Sequence, residues 1–376
     1  MTVKLGRYLA ALTIAVPLSG ACAQPRSGIS VTIDTSAAEA VLKAVTGDLT
    51  DAESLARTAL ELPGIQAMIA KEHRYVPAAS ADSFIAAVLA TVNGRGGEPF
   101  ALREIRDNPA QVRTLLANLT SRKTELSGRL TDRLGMYAPR GLTLHTTLAV
   151  VLGSHQNGWV PDQKTPVFYI DAGFQSGDAD ALIAVAAHEL FHVVQGAVQP
   201  DWSAALAAST SSSPEMREMH NVHAALLNLV IEGMADYVGD PRALPGDGSG
   251  IERARREYTR NLARSSESFA LFDTIIYRLY RDPDAPLESL LNIGFGGSWE
   301  QTGYYVGFAM ASAIERYVGR ERLQELVASP PEDFVLEYVA VERRAADRNL
   351  MRPAASSVEA ASASRRSLSA HGTPAR

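Results

Sequence analysis

Apolar positions recur at helical spacing along most of the chain and give way to alternating or short unbroken runs in only three places. The first, Ile29-Ser30-Val31-Thr32-Ile33, alternates apolar and polar and predicts a short strand. Ser36-Ala37-Ala38-Glu39 has the form of a capping box and predicts a helix to about Gly47. Thr50-Asp51-Ala52-Glu53 repeats that form for a helix ending near Leu62-Pro63-Gly64. Helical spacing continues through 84–92 and 112–134, so residues 34–138 read as mostly helical. The character changes at Leu142: residues 142–152 and 165–171 are rich in Thr, Val, Ile and aromatics and predict two strands. Ser176-Gly177-Asp178 offers N-caps for a long apolar helix over 179–194, stopped by Gly196. A Ser-rich connection, 209–214, leads to a helix over roughly 215–238. Loop signals follow at Asp240-Pro241 and Pro245-Gly246, then helices in 251–281, 302–318 and 320–328.

The pattern predicts a predominantly helical α+β fold, with a small sheet just before the long apolar helix. Residues 24–138 form a mostly helical region and 139–350 a second region, the two expected to make one compact unit. From about Arg352 the chain is Ala/Ser-rich with few large apolar residues, so 351–376 reads as a disordered tail.

Composition narrows the class. The 376 residues are 46% hydrophobic and 21% charged, which excludes wholesale disorder and fibrous architectures. Lys and Arg number 36 against 42 Asp and Glu, a net charge of −6 with no dense basic block, which argues against nucleic acid as a partner. Lys4 and Arg7, an apolar stretch over 8–18 and Ala21-Cys22-Ala23 read together as a secretory signal peptide over 1–23. That stretch is too short to span a bilayer. No later run supplies the ~20 uncharged apolar residues of a transmembrane helix. The single cysteine is Cys22, inside this signal, so a chain cut after Ala23 has no thiol for disulfides or metal. Leu18-Ser19-Gly20-Ala21-Cys22 is close to a bacterial lipobox, with leucine one position too far upstream, and gives the alternative of a lipid anchor at Cys22. Either way the expectation is export: periplasmic or secreted, or a lipoprotein of the cell envelope.

The chemistry lies in His188-Glu189-Leu190-Phe191-His192, an H-E-x-x-H pattern inside the long apolar helix. Spacing i, i+4 puts both imidazoles on one face about one turn apart, within reach of one ion. Glu189 is turned about a hundred degrees away from His188 and is placed to reach a water rather than the metal. Catalytic zinc usually has three protein ligands and an open position. The third candidate is Glu232, in Glu232-Gly233-Met234-Ala235-Asp236. Asp236, one turn on, is placed to accept a proton from a ligand histidine's second ring nitrogen. Gly233 would let this helix approach the first one closely. His220 and His223 are rival third ligands, and His73 is lone with no partner motif.

His188-Glu189-x-x-His192 followed by Glu232-Gly-x-Ala-Asp236 resembles the gluzincin metallopeptidases, whose third ligand is a glutamate. It is more closely similar to uncharacterised bacterial zinc-dependent peptidases, which share the strand before the motif helix, the Glu-Gly element and a downstream Gly-Tyr helix. Gly303-Tyr304-Tyr305-Val306-Gly307 falls on that last feature, and the likeness covers about residues 142–328. The resemblance implies a zincin-like core and one Zn2+ per chain held by His188, His192 and Glu232. It also implies Glu189 as general base, Asp236 behind a ligand histidine and Tyr304 as oxyanion donor. The 39 positions between His192 and Glu232 are about twice the thermolysin-like gap, an insertion that costs only ~0.6 kcal/mol of closure entropy per doubling. Tyr305, His155 and the His220/His223 pair remain alternative donors to the oxyanion. The expected substrate is a polypeptide, added along the edge of the strand at 167–170. Two other readings stay open: a zinc hydrolase of a non-peptide amide or ester, and a non-catalytic exported metal-binding or envelope protein.

Overall fold

The computed structural model describes residues 28–161, 165–174, 177–200, 213–297, 300–345 and 349–371. The expected signal peptide, Cys22 with it, and most of the Ser-rich connection lie outside the described residues.

All three predicted strands form, and a fourth joins them. The sheet contains β1 (Gly28–Asp34), β2 (Thr143–Val151), β3 (Gly158–Trp159) and β4 (Val167–Asp171), in the order β1-β2-β4-β3. β2 runs parallel to β1 and to β4, whereas β3 is antiparallel to β4. The last four residues of β2 are buried without alternation, as expected of a parallel strand covered on both faces. β3 is two residues long, too short for any periodicity to reveal. It displaces β4 from the edge, so an extended partner cannot add along β4 where Gly158 and Trp159 already pair with Ile170 and Tyr169. The edge strands are β3 on this side and β1 on the other.

The chain between β1 and β2 is helical as expected: α1 (Ser36–Thr46), α2 (Leu49–Ala59), α3 (Pro63–His73), α4 (Ala81–Val92), α5 (Leu102–Asp107), α6 (Pro109–Ser121) and α7 (Lys123–Tyr137). Neither predicted capping box forms. The N-caps are Thr35 and Asp48, without side-chain capping bonds, and Glu39 instead accepts from the Thr35 hydroxyl at 2.7 Å. His73 is structural: its Nδ1 lies 3.0 Å from the Ala79 carbonyl oxygen. α1 and α3 pack on β2, and α7 packs along β1.

The predicted long apolar helix is α8 (Ala179–Val198), capped by Asp178, whose carboxylate accepts from the N–H groups of Asp180 and Ala181. Gly196 does not stop it; the helix runs on to Val198. By length and composition α8 could cross a membrane, yet half of that apolar window is buried within the fold. It packs on β2, β4, α7 and α9 (Pro214–Val238), and serves as a core helix.

α9 is the axis of the second half. Around it lie α10 (Ser249–Leu262), α11 (Ser265–Arg281), α12 (Leu287–Phe295), α13 (Thr302–Tyr317), α14 (Arg320–Val327), α15 (Pro331–Arg344) and α16 (Ala355–His371). α9 itself packs against α8, α11, α13, α15 and α16. One contiguous apolar core runs from Ile29 in β1 to Ala361 in α16.

The C-terminal expectation is overturned. Residues 355–371, read as disordered, form α16, with Ala360, Ala361 and Ser364 buried against the body. Small residues cannot signal burial by size, but they permit close packing. Asp273 caps the helix by accepting from the Ala354 N–H at 2.9 Å and from the Ser357 hydroxyl.

Candidate metal centre

α8 and α9 cross so that three of the expected donors meet. Nε2 of His188 and Nε2 of His192 are 3.1 Å apart, and each lies 3.5 Å from Oε2 of Glu232. Among the described residues this is the one group of His, Cys, Asp or Glu whose donor atoms all lie within 4.8 Å of one another. Tetrahedral zinc with bonds of ~2.0–2.2 Å separates its donors by roughly 3.3–3.6 Å, and the three spacings fall close to that. Two imidazole nitrogens and a carboxylate oxygen facing one point also require a positive charge between them, a proton or a cation. The donor set therefore fits zinc.

Both rings are held from behind. Nδ1 of His188 is 2.9 Å from Oδ1 of the buried Asp236, which also accepts from the Tyr258 hydroxyl at 2.9 Å. Nδ1 of His192 is 2.9 Å from Oε1 of Gln195, whose amide nitrogen donates to the Ile231 carbonyl at 2.9 Å. Such contacts fix ring orientation and leave the Nε2 atoms for the metal. Tyr258 and Gln195 were not singled out from sequence. Gln195 stands at i+3 from His192, a spacing that puts the two on one face but that many helical residues share.

The electrostatics follow from this crowding. Burial works against a charge on His188, but hydrogen bonds to Asp236 and Glu232, with the nearby charge of Glu189, push its pKa up to about 10. Burial likewise opposes the Glu232 charge, yet the two imidazoles hold that carboxyl well below its usual range. The pair thus behaves as an ion pair wherever no cation replaces the shared proton.

Tyr304 lies beside His188. Its ring is nearly parallel to that of His188, with centroids 6.0 Å apart. Burial first, then the charge of Glu232 and a hydrogen bond to it, raise the phenol far above its ordinary pKa, so it stays a protonated donor. Glu189, half-buried beside the donors, contributes its charge to both His188 and Tyr304.

The other candidates lie elsewhere. His223 is buried with its Nδ1 2.8 Å from Oε1 of Glu332, and neither it nor His220 joins the donor group. His155 faces Glu72, with Nδ1 at 3.1 Å from Oε2. Tyr305 packs edge-on against Tyr258.

Gly233 has a different partner from the expected one. A Cβ there would lie 2.3 Å from the Gly307 Cα, so the close approach is between α9 and α13, not α9 and α8. Gly239 makes the approach to α8: a Cβ there would lie 2.8 Å from the His188 Cβ. Gly233 directly follows Glu232 and Gly239 lies three residues after Asp236, so the two close approaches fix this stretch of α9 against α13 and α8.

A family model described as "Putative zinc dependent peptidase (DUF5700)" matches residues 57–346, more than three-quarters of the chain. The chain belongs to this family. The match contains all six residues His188, Glu189, His192, Glu232, Asp236 and Tyr304, and omits β1, α1 and α16. No curated protein and no solved structure matches the chain.

Proposed function

We propose that the protein is an exported zinc metallopeptidase that cleaves peptide bonds with Glu189 as general base. The observation that carries this reading is the convergence of His188, His192 and Glu232 on one point, with Glu189 beside the set but outside it. A purely structural site has no use for a carboxylate in that position. The family description supports zinc and peptide chemistry.

His188, His192 and Glu232 would hold the ion and leave one position open to water and substrate. When bound there, zinc supplies a water acidified toward neutrality and polarises the substrate carbonyl. Glu189 takes the proton of the attacking water and delivers it to the leaving amine nitrogen. Tyr304, kept protonated by its buried, anionic surroundings, donates to the carbonyl oxygen as it gains charge. Asp236 and Gln195 fix the two imidazoles, so little reorganisation is needed as charge develops.

The test is zinc content and peptide hydrolysis of wild type, Glu232→Ala and Glu189→Gln. Expected are about one zinc per wild-type chain, a marked loss in Glu232→Ala, and retained zinc with hydrolysis at least ~100-fold lower in Glu189→Gln. Unchanged hydrolysis in Glu189→Gln sinks the catalytic reading. Absence of zinc from the wild type after supplementation sinks the metal reading.

A further inference from the structure

The two helices that carry the metal donors are both tied to a third, α7, by arginines on one of its faces. Arg122 and Arg129 pair with Asp180 in the first turn of α8, Nη1 of Arg129 lying 2.6 Å from Oδ1. Arg133, one turn after Arg129, reaches α9 instead. Its Nε donates to the Val238 carbonyl at 2.7 Å and its Nη2 to the Tyr237 carbonyl at 2.8 Å. Both carbonyls belong to the last turn of α9, where the helix supplies no donors of its own and its dipole favours a cation. The guanidinium is held in turn by Tyr137: its carbon lies 4.9 Å from that ring's centroid, and Nη1 donates to the phenol oxygen at 3.4 Å. The clamped turn is the one that serves the metal centre. Asp236, next to Tyr237, faces Nδ1 of His188 at 2.9 Å, and Gly239 lies against the His188 Cβ. Two donors of one planar group on consecutive carbonyls fix the rotation of this turn as well as its position.

We propose that Arg133 is a positioning residue for the metal centre, acting through the last turn of α9 on Asp236 and so on the His188 ring. The proposal rests on the zinc part of the reading above and needs no particular substrate. It gives a helix that contributes no donor a direct part in the site: α7 sets how the end of α9 meets α8.

The test reads zinc affinity of the full-length protein, by competition with a chromophoric chelator well below the melting temperature. Arg133→Met keeps the apolar stem, loses every donor and is expected to bind zinc about tenfold more weakly than wild type. Arg133→Lys keeps the charge but donates from a single point, and is expected to fall about threefold. Beside Asp236→Asn, Arg133→Met should change affinity less than twofold, because the group it acts through is already altered. A lower melting temperature with wild-type zinc affinity in both Arg133 variants would make the arginine a helix cap alone and overturn the proposal. A tenfold loss that persists in full beside Asp236→Asn also overturns it. Should Arg133→Met not fold, Arg133→Lys decides: weaker zinc binding by a folded protein supports the proposal, and unchanged binding sinks it. A wild type that takes up no zinc removes the zinc reading and this proposal together. The expected affinity losses without peptide hydrolysis by the wild type remove the peptidase reading alone.

Discussion

His188 leans on a carboxylate and His192 on an amide, and this difference sets what each support contributes. Asp236 brings a charge and is itself held by Tyr258, whereas Gln195 brings geometry alone, fixed by the Ile231 carbonyl. Asp236→Asn and Gln195→Ala are each expected to weaken zinc binding by about 10–100-fold, measured by competition with a chromophoric chelator. Asp236→Asn should have the larger effect, since it removes charge as well as orientation. Unchanged affinity in both would mean that backbone packing alone orients the rings.

Another buried acid governs stability. Asp171, at the end of β4, is pushed up to about 7, mainly by burial and further by the charge of Glu72. The N–H groups of Gly173, Ser154 and Gly153 pull the other way. Its unfolded value is near ~3.9, so between pH ~4 and 7 the folded state holds a proton that the unfolded state has released. The stability from this residue is therefore present at low pH and is lost as pH rises through 7. Asp171→Asn should remove that slope. Its absolute stability should fall at every pH, because an amide offers one oxygen where the carboxylate accepts from Ser154 N–H with one oxygen and Gly173 N–H with the other. Denaturant unfolding at pH 5 and pH 8 for both proteins checks this, and a slope equal in both would show that Asp171 is ionised throughout.

The Gly233–Gly307 contact decides whether the elements form a site. Gly233 follows Glu232, and Gly307 lies three residues after Tyr304, so one crossing of α9 over α13 sets the distance between ligand and phenol. A Cβ at Gly307 would lie 2.4 Å from the Leu229 carbonyl oxygen and 2.7 Å from the Gly233 Cα, and backbone must move to admit it. Gly307→Ala is expected to cost about 1–3 kcal/mol in denaturant unfolding and to lower kcat more than zinc content, because Tyr304 moves with α13. A variant as stable and as active as wild type would show that the crossing has slack. Sequence reasoning found the glycine but assigned the wrong neighbour: a missing side chain announces a close approach without saying to what. The i, i+4 pairs in α8 and α9 were legible because their spacing fixes which side chains share a face. Gln195 and Gly239 were not, since a helical glutamine and a terminal glycine are ordinary residues until tertiary packing selects them.

At the scale of the whole molecule, the predicted strands and most helices were legible because burial is periodic in them, and β3 was not because two residues have no period. α16 failed for a different reason. Its Ala and Ser residues carry little hydrophobic signal, and its burial depends on partners supplied by α9, α11 and α15. Ser364 donates at 2.6 Å to Glu332, a carboxylate buried in α15 that also faces His223 of α9, so α16 closes a polar network inside the fold. Removal of residues 355–376 would expose that network and the apolar faces of α9, α11 and α15 beneath it. The truncated chain is expected to melt at least ~3 °C lower, and Ser364→Ala to lose about 1–2 kcal/mol by leaving the carboxylate one donor short. Because the helix lies outside the family match at 57–346, these losses should fall on stability, with zinc stoichiometry retained below the melting temperature. Thermal unfolding with metal analysis of the two variants decides it. Melting unchanged in both would mean that α16 rests on the surface without holding α9, while zinc lost from the intact truncated fold would make the helix part of the site's support.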